Sequence, residues 1–136
     1  MNYEQAIDYI EQTDTPRQRY GLEKLKQALH LMGDPQEKVP YVHIAGTNGK
    51  GSVSHMLASV LQQAGYRTGL YTSPHLRDFR ERILVDGEMI PKQKVVNFVD
   101  KHYDCMKELG LSFFEMSTAL AFDYFDQSDV EVAVIE

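Results

Sequence analysis

The chain has 136 residues, a length that fits one domain with a sizeable buried core. Its composition, with 43% hydrophobic and 25% charged residues, is that of an ordinary globular protein. Fourteen Lys and Arg against twenty Asp and Glu give a net charge of -6, which disfavours binding to a nucleic-acid backbone. No apolar run approaches the ~20 residues that span a bilayer, so we also expect no membrane partner.

The cysteine content and the N-terminal residues indicate the compartment. Cys105 is the single cysteine, which excludes an internal disulfide and fits a reducing environment. Residues 1–12 are acidic and lack the basic and apolar regions of a secretory signal peptide. We therefore expect a cytoplasmic protein.

Two helices are predicted before the first strand. Residues 2–12 have one apolar face, and a second helix ends at Gly33. The apolar positions of this second helix are Leu22, Leu25, Leu29 and Met32. Between the helices, the polar break TDTPRQR is either a solvated loop or a segment that touches a ligand.

A strand, a glycine-rich turn and a helix come next. YVHIA, residues 41–45, is nearly all apolar, so we predict a strand buried on both faces of a parallel sheet, with His43 as a core residue. After the glycines, one apolar face predicts a helix that is closed by Gly65. That face consists of Val53, Met56, Leu57, Val60, Leu61 and Ala64. RTGLYTS, residues 67–73, returns as a strand and completes a βαβ unit.

A hairpin and a long helix follow this unit. The segment ERILVDGEMI alternates around Asp86-Gly87, which is typical of a two-residue β-hairpin. Pro91 is predicted to be the first residue of a long helix that Gly110 ends.

The last two elements determine the predicted fold class. FFEMSTALAFDYF, residues 113–125, is apolar almost all round and indicates a buried helix. VEVAVIE, residues 130–136, is predicted to be a parallel strand at the edge of the sheet, without a helix to cover it. The expected class is therefore α/β, with a partial parallel sheet, helices on both faces and one β-hairpin insertion. Because this sheet looks unfinished, we expect part of a longer protein.

Three loops are predicted to meet at the carboxyl ends of the parallel strands, where open α/β sheets bind their ligands. The glycine-rich loop follows residues 41–45, and TSPH, with Ser73 and His75, follows the second strand. Glu136 follows the last strand. The predicted convergence of the three loops indicates a ligand-binding site more strongly than any one loop alone.

The glycine-rich loop has the chemistry of a phosphate site. Its three glycines, within residues 46–51, let backbone N–H groups approach phosphate oxygens, and the following helix directs its N-terminus at the same anion. Lys50 adds a positive charge. The spacing differs from the common phosphate-loop motif, because Ile44 replaces its first glycine and Gly51 separates Lys50 from Ser52. A purely structural glycine turn is the alternative.

Glu136 and Ser73 are candidate Mg²⁺ ligands. Nucleotide-hydrolysing α/β proteins often place an acidic metal ligand at the end of a β-branched strand, and Mg²⁺ prefers oxygen ligands. The alternatives are a solvated terminal glutamate and a serine in a turn. The five histidines show no metal-binding spacing, and His75 has either a functional or a turn role.

Four motifs together resemble the folylpolyglutamate synthase and dihydrofolate synthase family of the Mur ligase superfamily. They are HIAGTNGKGSV, GLYTSPHL followed by ERI, FFEMSTALAF and VAVIE, in the order and spacing of the family. The peptidoglycan branch usually has Thr or Ser directly after the lysine, so Gly51 favours the folate branch. The resemblance covers essentially the whole chain and implies the N-terminal part of such an enzyme.

The resemblance implies a role for each matched residue. The ATP phosphate loop is matched by Thr47, Asn48, Gly49, Lys50, Gly51 and Ser52, with Lys50 as the catalytic cation. Ser73 and Glu136 match the Mg²⁺ ligands. A pterin-contacting segment is matched by Ser112, Phe113, Phe114 and Glu115, and less securely by residues 17–20. The two phenylalanines have core packing as their alternative role.

The implied activity is ATP-dependent ligation of L-glutamate to a folate or dihydropteroate carboxylate through an acyl phosphate. The implied domains are an N-terminal helical segment, residues 1–39, and the first part of a P-loop ATP-binding domain of the Mur ligase type, residues 40–136. We expect the whole enzyme to be a monomer. Because the family is longer than this chain, we expect little activity from the chain alone. The alternatives are a Mur-type ligase acting on a peptidoglycan precursor and a non-catalytic nucleotide-binding module.

Overall fold

The structure is a computed structural model that describes residues 1–12, 22–46, 49–73 and 77–136, without the side chain of Lys50. Within these ranges the chain forms five α-helices and five β-strands. The helices are α1 (Tyr3–Glu11), α2 (Glu23–Leu31), α3 (Lys50–Gln63), α4 (Lys92–Leu109) and α5 (Phe113–Gln127). The strands are β1 (Tyr41–His43), β2 (Thr68–Tyr71), β3 (Ile83–Val85), β4 (Glu88–Met89) and β5 (Val132–Ile135).

The five strands form one mixed sheet in the order β1-β5-β2-β3-β4. Strand β5 pairs in parallel with both β1 and β2, while β3 pairs antiparallel with β2 and β4. The hairpin turns at Asp86 and Gly87, whose φ angles of 51° and 83° suit a left-handed two-residue turn. The predicted α/β class, the parallel strands and the hairpin insertion are therefore confirmed.

Helices cover both faces of the sheet, as predicted. Side chains alternate along each strand, so Leu70 and Val134 lie on one face and pack with Ala58 of α3. Their neighbours Tyr71 and Ile135 lie on the other face, in the larger core. This larger core also contains buried side chains of α1, α2, α4 and α5.

The order of the strands corrects two predictions. Strand β1 was expected to be buried on both faces, but it lies at the edge of the sheet and all three of its residues are exposed, including His43. Strand β5 was expected at the edge, but it lies between β1 and β2. Both β1 and β5 are short and apolar, and hydrophobicity alone does not tell an edge strand from a central one.

Three helices also differ from the prediction. Val53, Met56 and Val60 of α3 are exposed, because only the Ala58 side of the helix faces the sheet. Leu22 precedes α2 as its N-cap residue and is exposed, and Pro91 caps α4 instead of beginning it.

Among the described helices, none is both long enough and apolar enough to cross a membrane.

Candidate functional site

The carboxyl ends of β1, β5 and β2 lie side by side. Ile135 is in register with His43 on one side and Tyr71 on the other. Beyond this register, the Ile44 N–H donates to the Ile135 carbonyl at 2.7 Å, and the Glu136 N–H donates to the Tyr71 carbonyl at 2.9 Å. The chain segments that follow the three strands therefore begin side by side at the carboxyl ends of these strands, as the sequence predicted.

Ser73 and Glu136 are in direct contact at the carboxyl ends of these strands. The backbone N–H of Ser73 donates a hydrogen bond of 3.0 Å to Oε1 of Glu136. The carboxylate is half-buried, whereas Ser73 is exposed. Two residues 63 positions apart in the sequence thus lie within one hydrogen bond of each other.

The N-terminus of α3 forms another side of the site. Gly46 and Gly49 have φ angles of 147° and 75°, in the region where glycine is favoured over other residues. Helix α3 begins at Lys50, and a Cβ atom on Gly51 would lie 3.5 Å from Oε2 of Glu136. The first turn of α3 and its positive helix dipole therefore lie against the carboxylate. Thr47, Asn48, His75 and residues 17–20 fall outside the described residues, as does the side chain of Lys50.

Two residues of the predicted substrate segment cap helix α5. The Ser112 hydroxyl accepts the Glu115 N–H at 3.2 Å, and a Glu115 carboxylate oxygen accepts the Ser112 N–H at 2.8 Å. This reciprocal pair is a capping box, which satisfies backbone donors at the start of a helix. Glu115 is also buried, so its carboxylate is engaged in the local structure of α5.

The two phenylalanines of the segment differ in exposure. Phe113 is 8% exposed, packs edge-on against Phe79 with ring centroids 5.9 Å apart, and lies 4.8 Å from the Arg82 guanidinium carbon. Phe114 is 57% exposed. A planar ligand at the N-terminus of α5 can therefore stack on Phe114, while the core-packing alternative holds for Phe113.

Sequence reasoning missed the 3₁₀ turn Phe79–Arg82, which links the two parts of the site. At one end, the Arg82 carbonyl accepts the N–H of Thr72, the residue before Ser73, at 3.0 Å. The turn also carries the two side chains that pack on Phe113. The signal was present in the sequence, because Asp78 and Glu81 have the spacing of a capping box, which the structure contains.

The described part of the site combines a carboxylate with backbone positions that suit an anion. Within the described ranges, no three His, Cys, Asp or Glu residues come together as a metal-binding group. A metal held by protein side chains alone is therefore not indicated there, whereas Mg²⁺ needs few protein ligands when phosphates and water supply the others.

No family model matches the chain, but curated proteins do. It is 41% identical over 141 residues to a probable bifunctional folylpolyglutamate synthase/dihydropteroate synthase of Haloferax volcanii, covering 100% of this chain and 17% of that protein. It is 38% identical over 143 residues to the folylpolyglutamate synthase of Lacticaseibacillus casei, covering 100% of this chain and 33% of that protein.

Solved structures agree with these relatives. A folylpolyglutamate synthase complex with AMPPCP and folate has a TM-score of 0.92 at 39% identity and covers 100% of this chain and 35% of its own. The Mycobacterium tuberculosis folylpolyglutamate synthase complexed with ADP has a TM-score of 0.90 at 34% identity, with 98% and 31% covered. The fold is thus that of the Mur ligases. Within this class, the chain is a homologue of the folylpolyglutamate synthases and dihydrofolate synthases, and it spans at most about a third of the relatives' length.

Proposed function

We propose that this chain carries the nucleotide-phosphate and metal part of an ATP-dependent ligase that joins L-glutamate to a folate or dihydropteroate carboxylate. The contact between Ser73 and Glu136, beside the N-terminus of α3, is the observation that carries the proposal. The neighbours with bound AMPPCP, folate or ADP support it. Because the chain spans a third or less of these relatives, we assign turnover to the whole ligase and expect this chain alone to bind nucleotide without turnover.

The phosphates of ATP are proposed to bind at the glycine-rich loop. Gly46 and Gly49 have backbone conformations that suit a tight phosphate turn, and the N-terminus of α3 favours an anion. The proposed contacts come from Thr47, Asn48, Gly49, Lys50, Gly51 and Ser52. The Lys50 ammonium would compensate the negative charge on the transferring phosphoryl group.

Mg²⁺ is proposed to bind between this loop and the end of β2. The donor set fits, because the Glu136 carboxylate and the Ser73 hydroxyl are the oxygen ligands that Mg²⁺ prefers. A Cβ atom on Gly51 would lie in ordinary van der Waals contact with Oε2 of Glu136, so the first turn of α3 lies directly beside this carboxylate. When bound, the ion would neutralise charge on the ATP phosphates.

The acceptor substrate is proposed to lie at the N-terminus of α5, at Ser112, Phe113, Phe114 and Glu115. The exposed ring of Phe114 offers a stacking surface for a pterin, and the capping box keeps this end of α5 in place. In the ligation, an acceptor carboxylate oxygen attacks the γ-phosphorus and ADP leaves. The glutamate amine then displaces phosphate and forms the amide bond. The protein acts mainly by holding these reactants together.

The remaining proposals concern organisation. Residues 1–39 would form a helical segment on an ATP-binding domain that begins at residue 40. We also propose that the whole ligase is a monomer in the cytoplasm, without nucleic-acid or membrane partners. The net charge of -6 supports the absence of nucleic acid.

Replacing Glu136 tests the metal site. We expect Glu136→Gln to weaken Mg²⁺-dependent AMPPCP binding about ten-fold or more, because a neutral amide is a poorer Mg²⁺ ligand than a carboxylate. Isothermal titration calorimetry with and without Mg²⁺ measures the AMPPCP affinity of both proteins. The difference between the variant and the wild type should vanish without the ion.

Glu131→Gln is the matched control for this experiment. Glu131 adjoins the opposite end of β5, where its Oε1 accepts the Arg67 N–H at 2.9 Å. This variant should bind Mg²⁺-AMPPCP like the wild type. Equal binding by the Glu136→Gln variant would contradict the metal assignment. Glutamate-dependent phosphate release by the whole ligase, with a folate or a UDP-muramoyl substrate, separates the folate activity from the peptidoglycan alternative.

A further inference from the structure

A cluster at the N-terminus of α1 contacts the segment that follows Ser73. We call Tyr3, Asp78 and Arg80 the Tyr3 cluster. The Tyr3 hydroxyl donates to Oδ1 of Asp78 at 3.1 Å, and the same oxygen accepts the Arg80 N–H at 3.0 Å. The Arg80 guanidinium donates to Oδ2 from Nη2 at 3.1 Å and from Nε at 3.3 Å. One carboxylate thereby joins a helix and a turn that are 75 residues apart.

The surroundings of the cluster keep the Tyr3 hydroxyl a donor. Burial, together with the charge of the Asp78 carboxylate, raises the pKa of Tyr3 to about 12. Burial also tends to raise the pKa of Asp78, but the Arg80 and Tyr3 hydrogen bonds outweigh it, and the pKa of that carboxyl lies below its usual value. Near neutral pH, the phenol therefore remains protonated and the carboxylate ionised.

Two cations surround the Tyr3 ring. The Lys92 ammonium lies 5.2 Å from the ring centroid, and the Arg80 guanidinium carbon lies 6.0 Å from it. Arg80 also donates from Nη1 to the Ile90 carbonyl at 3.2 Å. The ring position is thus determined by packing and charge, and it does not depend on the hydroxyl alone.

Asp78 connects the cluster to the candidate site, because it is the N-cap of the 3₁₀ turn Phe79–Arg82. The other half of this capping box is Glu81, whose Oε2 accepts the Asp78 N–H at 3.1 Å and the Arg77 N–H at 3.3 Å. The turn packs on Phe113 through Phe79 and Arg82, and its last carbonyl accepts the N–H of Thr72. The conformation of this turn is therefore coupled both to the start of α5 and to the strand end that leads to Ser73.

We propose that Tyr3 is a positioning residue for the acceptor end of the candidate site, acting through Asp78 and the turn Phe79–Arg82. The hydroxyl holds the Asp78 cap, the cap holds the turn, and the turn holds Phe113 beside the exposed stacking surface of Phe114. Helix α1 is thus part of the apparatus that binds the folate-type acceptor, although Tyr3 does not touch the ligand. This inference rests on the proposed function.

Tyr3→Phe tests the inference, because it removes only the hydroxyl and keeps the ring between its two cations. Hydrogen bonds to charged groups are among the stronger ones, so we expect about a ten-fold loss in folate affinity. Affinity for Mg²⁺-AMPPCP should fall less than folate affinity, because the link from the turn to the strand end before Ser73 is a backbone hydrogen bond at the far end of the turn, from the Thr72 N–H to the Arg82 carbonyl. Hydrogen exchange at Asp78 and Arg80 should become about ten-fold faster.

Tyr9→Phe is the matched control. Tyr9 lies on the same helix and packs on Tyr103 with ring centroids 4.9 Å apart, away from the Tyr3 cluster. Folate affinity and exchange at residues 77–82 should equal those of the wild type. Asp78→Asn is a second test variant, because it keeps an acceptor for the cap but loses the charge that binds both Arg80 and Tyr3. It should weaken folate binding in the same direction.

The outcomes separate this inference from the proposed function. If the wild-type chain binds AMPPCP and folate, and Tyr3→Phe binds folate equally well, the positioning role is wrong even where exchange is faster. Equal exchange at residues 77–82 in Tyr3→Phe and the wild type also overturns it. A wild-type chain that binds neither ligand contradicts the proposed function, and the inference falls with it.

Discussion

Gly51 shows how a departure from a common motif acquires a physical meaning. In the sequence, it only separates Lys50 from Ser52 and marks a branch of a superfamily. In the structure, its Cα faces the carboxylate of Glu136, and a Cβ at this position would lie 3.5 Å from Oε2. Gly51 therefore marks the point where the first turn of α3 lies beside the proposed metal ligand.

The Tyr3 phenol predicts a pH effect at the residue scale. Burial and the Asp78 carboxylate raise its pKa from 10.0 to about 12, so the folded state holds the phenolic proton more tightly than the unfolded state. Its contribution to the free energy of unfolding is complete below pH 10 and is lost as the pH rises towards about 12. Burial also raises the pKa values of Tyr9 and Tyr71, so the ultraviolet titration of tyrosinate should contain several late components, and Tyr3→Phe should lack one of them. A wild-type titration identical to that of Tyr3→Phe contradicts this prediction.

At the scale of elements, the capping box of α5 explains a segment that the family resemblance assigned to substrate. Ser112 and Glu115 satisfy each other's backbone N–H groups, so both side chains serve the start of the helix. Only Phe114 among the four residues presents a large exposed apolar surface. The structure therefore divides the segment into a cap, a packed ring and a candidate stacking ring.

Ser112→Ala tests the cap. Loss of a serine N-cap costs about 1 kcal/mol, so the free energy of unfolding should fall by about that amount in chemical denaturation. Ser128→Ala is the control. Ser128 is the C-cap residue of the same helix, and its backbone carbonyl, which the substitution keeps, accepts a hydrogen bond from Nε of Arg67. An equal loss for both variants would show that the cap is not the cause.

At the scale of the whole molecule, helix α3 exposes an apolar stripe on the side turned away from the sheet. Met56 and Val60 are 61% and 63% exposed, and Val53 lies on the same side of the helix. The Ala58 side of α3 packs on Leu70 and Val134 of the sheet, so the stripe lies on the outward side of the helix. An exposed apolar stripe of this kind favours association between molecules.

We expect this surface to make the 136-residue chain self-associate. The double variant Met56→Lys with Val60→Lys should shift the chain towards monomer in sedimentation velocity, because it places charge in the stripe. Leu31→Lys is the control, since Leu31 is 68% exposed but lies on α2. A wild-type chain that stays monomeric at high concentration contradicts the expectation.

The sequence by itself determined most elements, the α/β class, the hairpin and the meeting of strand ends that brings Ser73 to Glu136. These features depend on local periods, turn residues and the direction of parallel strands, all of which are encoded within short segments. Only the tertiary structure decided that β5 is central and β1 lies at the edge, that one side of α3 is exposed, and that Tyr3 binds Asp78. Such features depend on which segments pack together across long sequence distances, and an apolar residue or a lone tyrosine has the same local pattern whichever partner it finds.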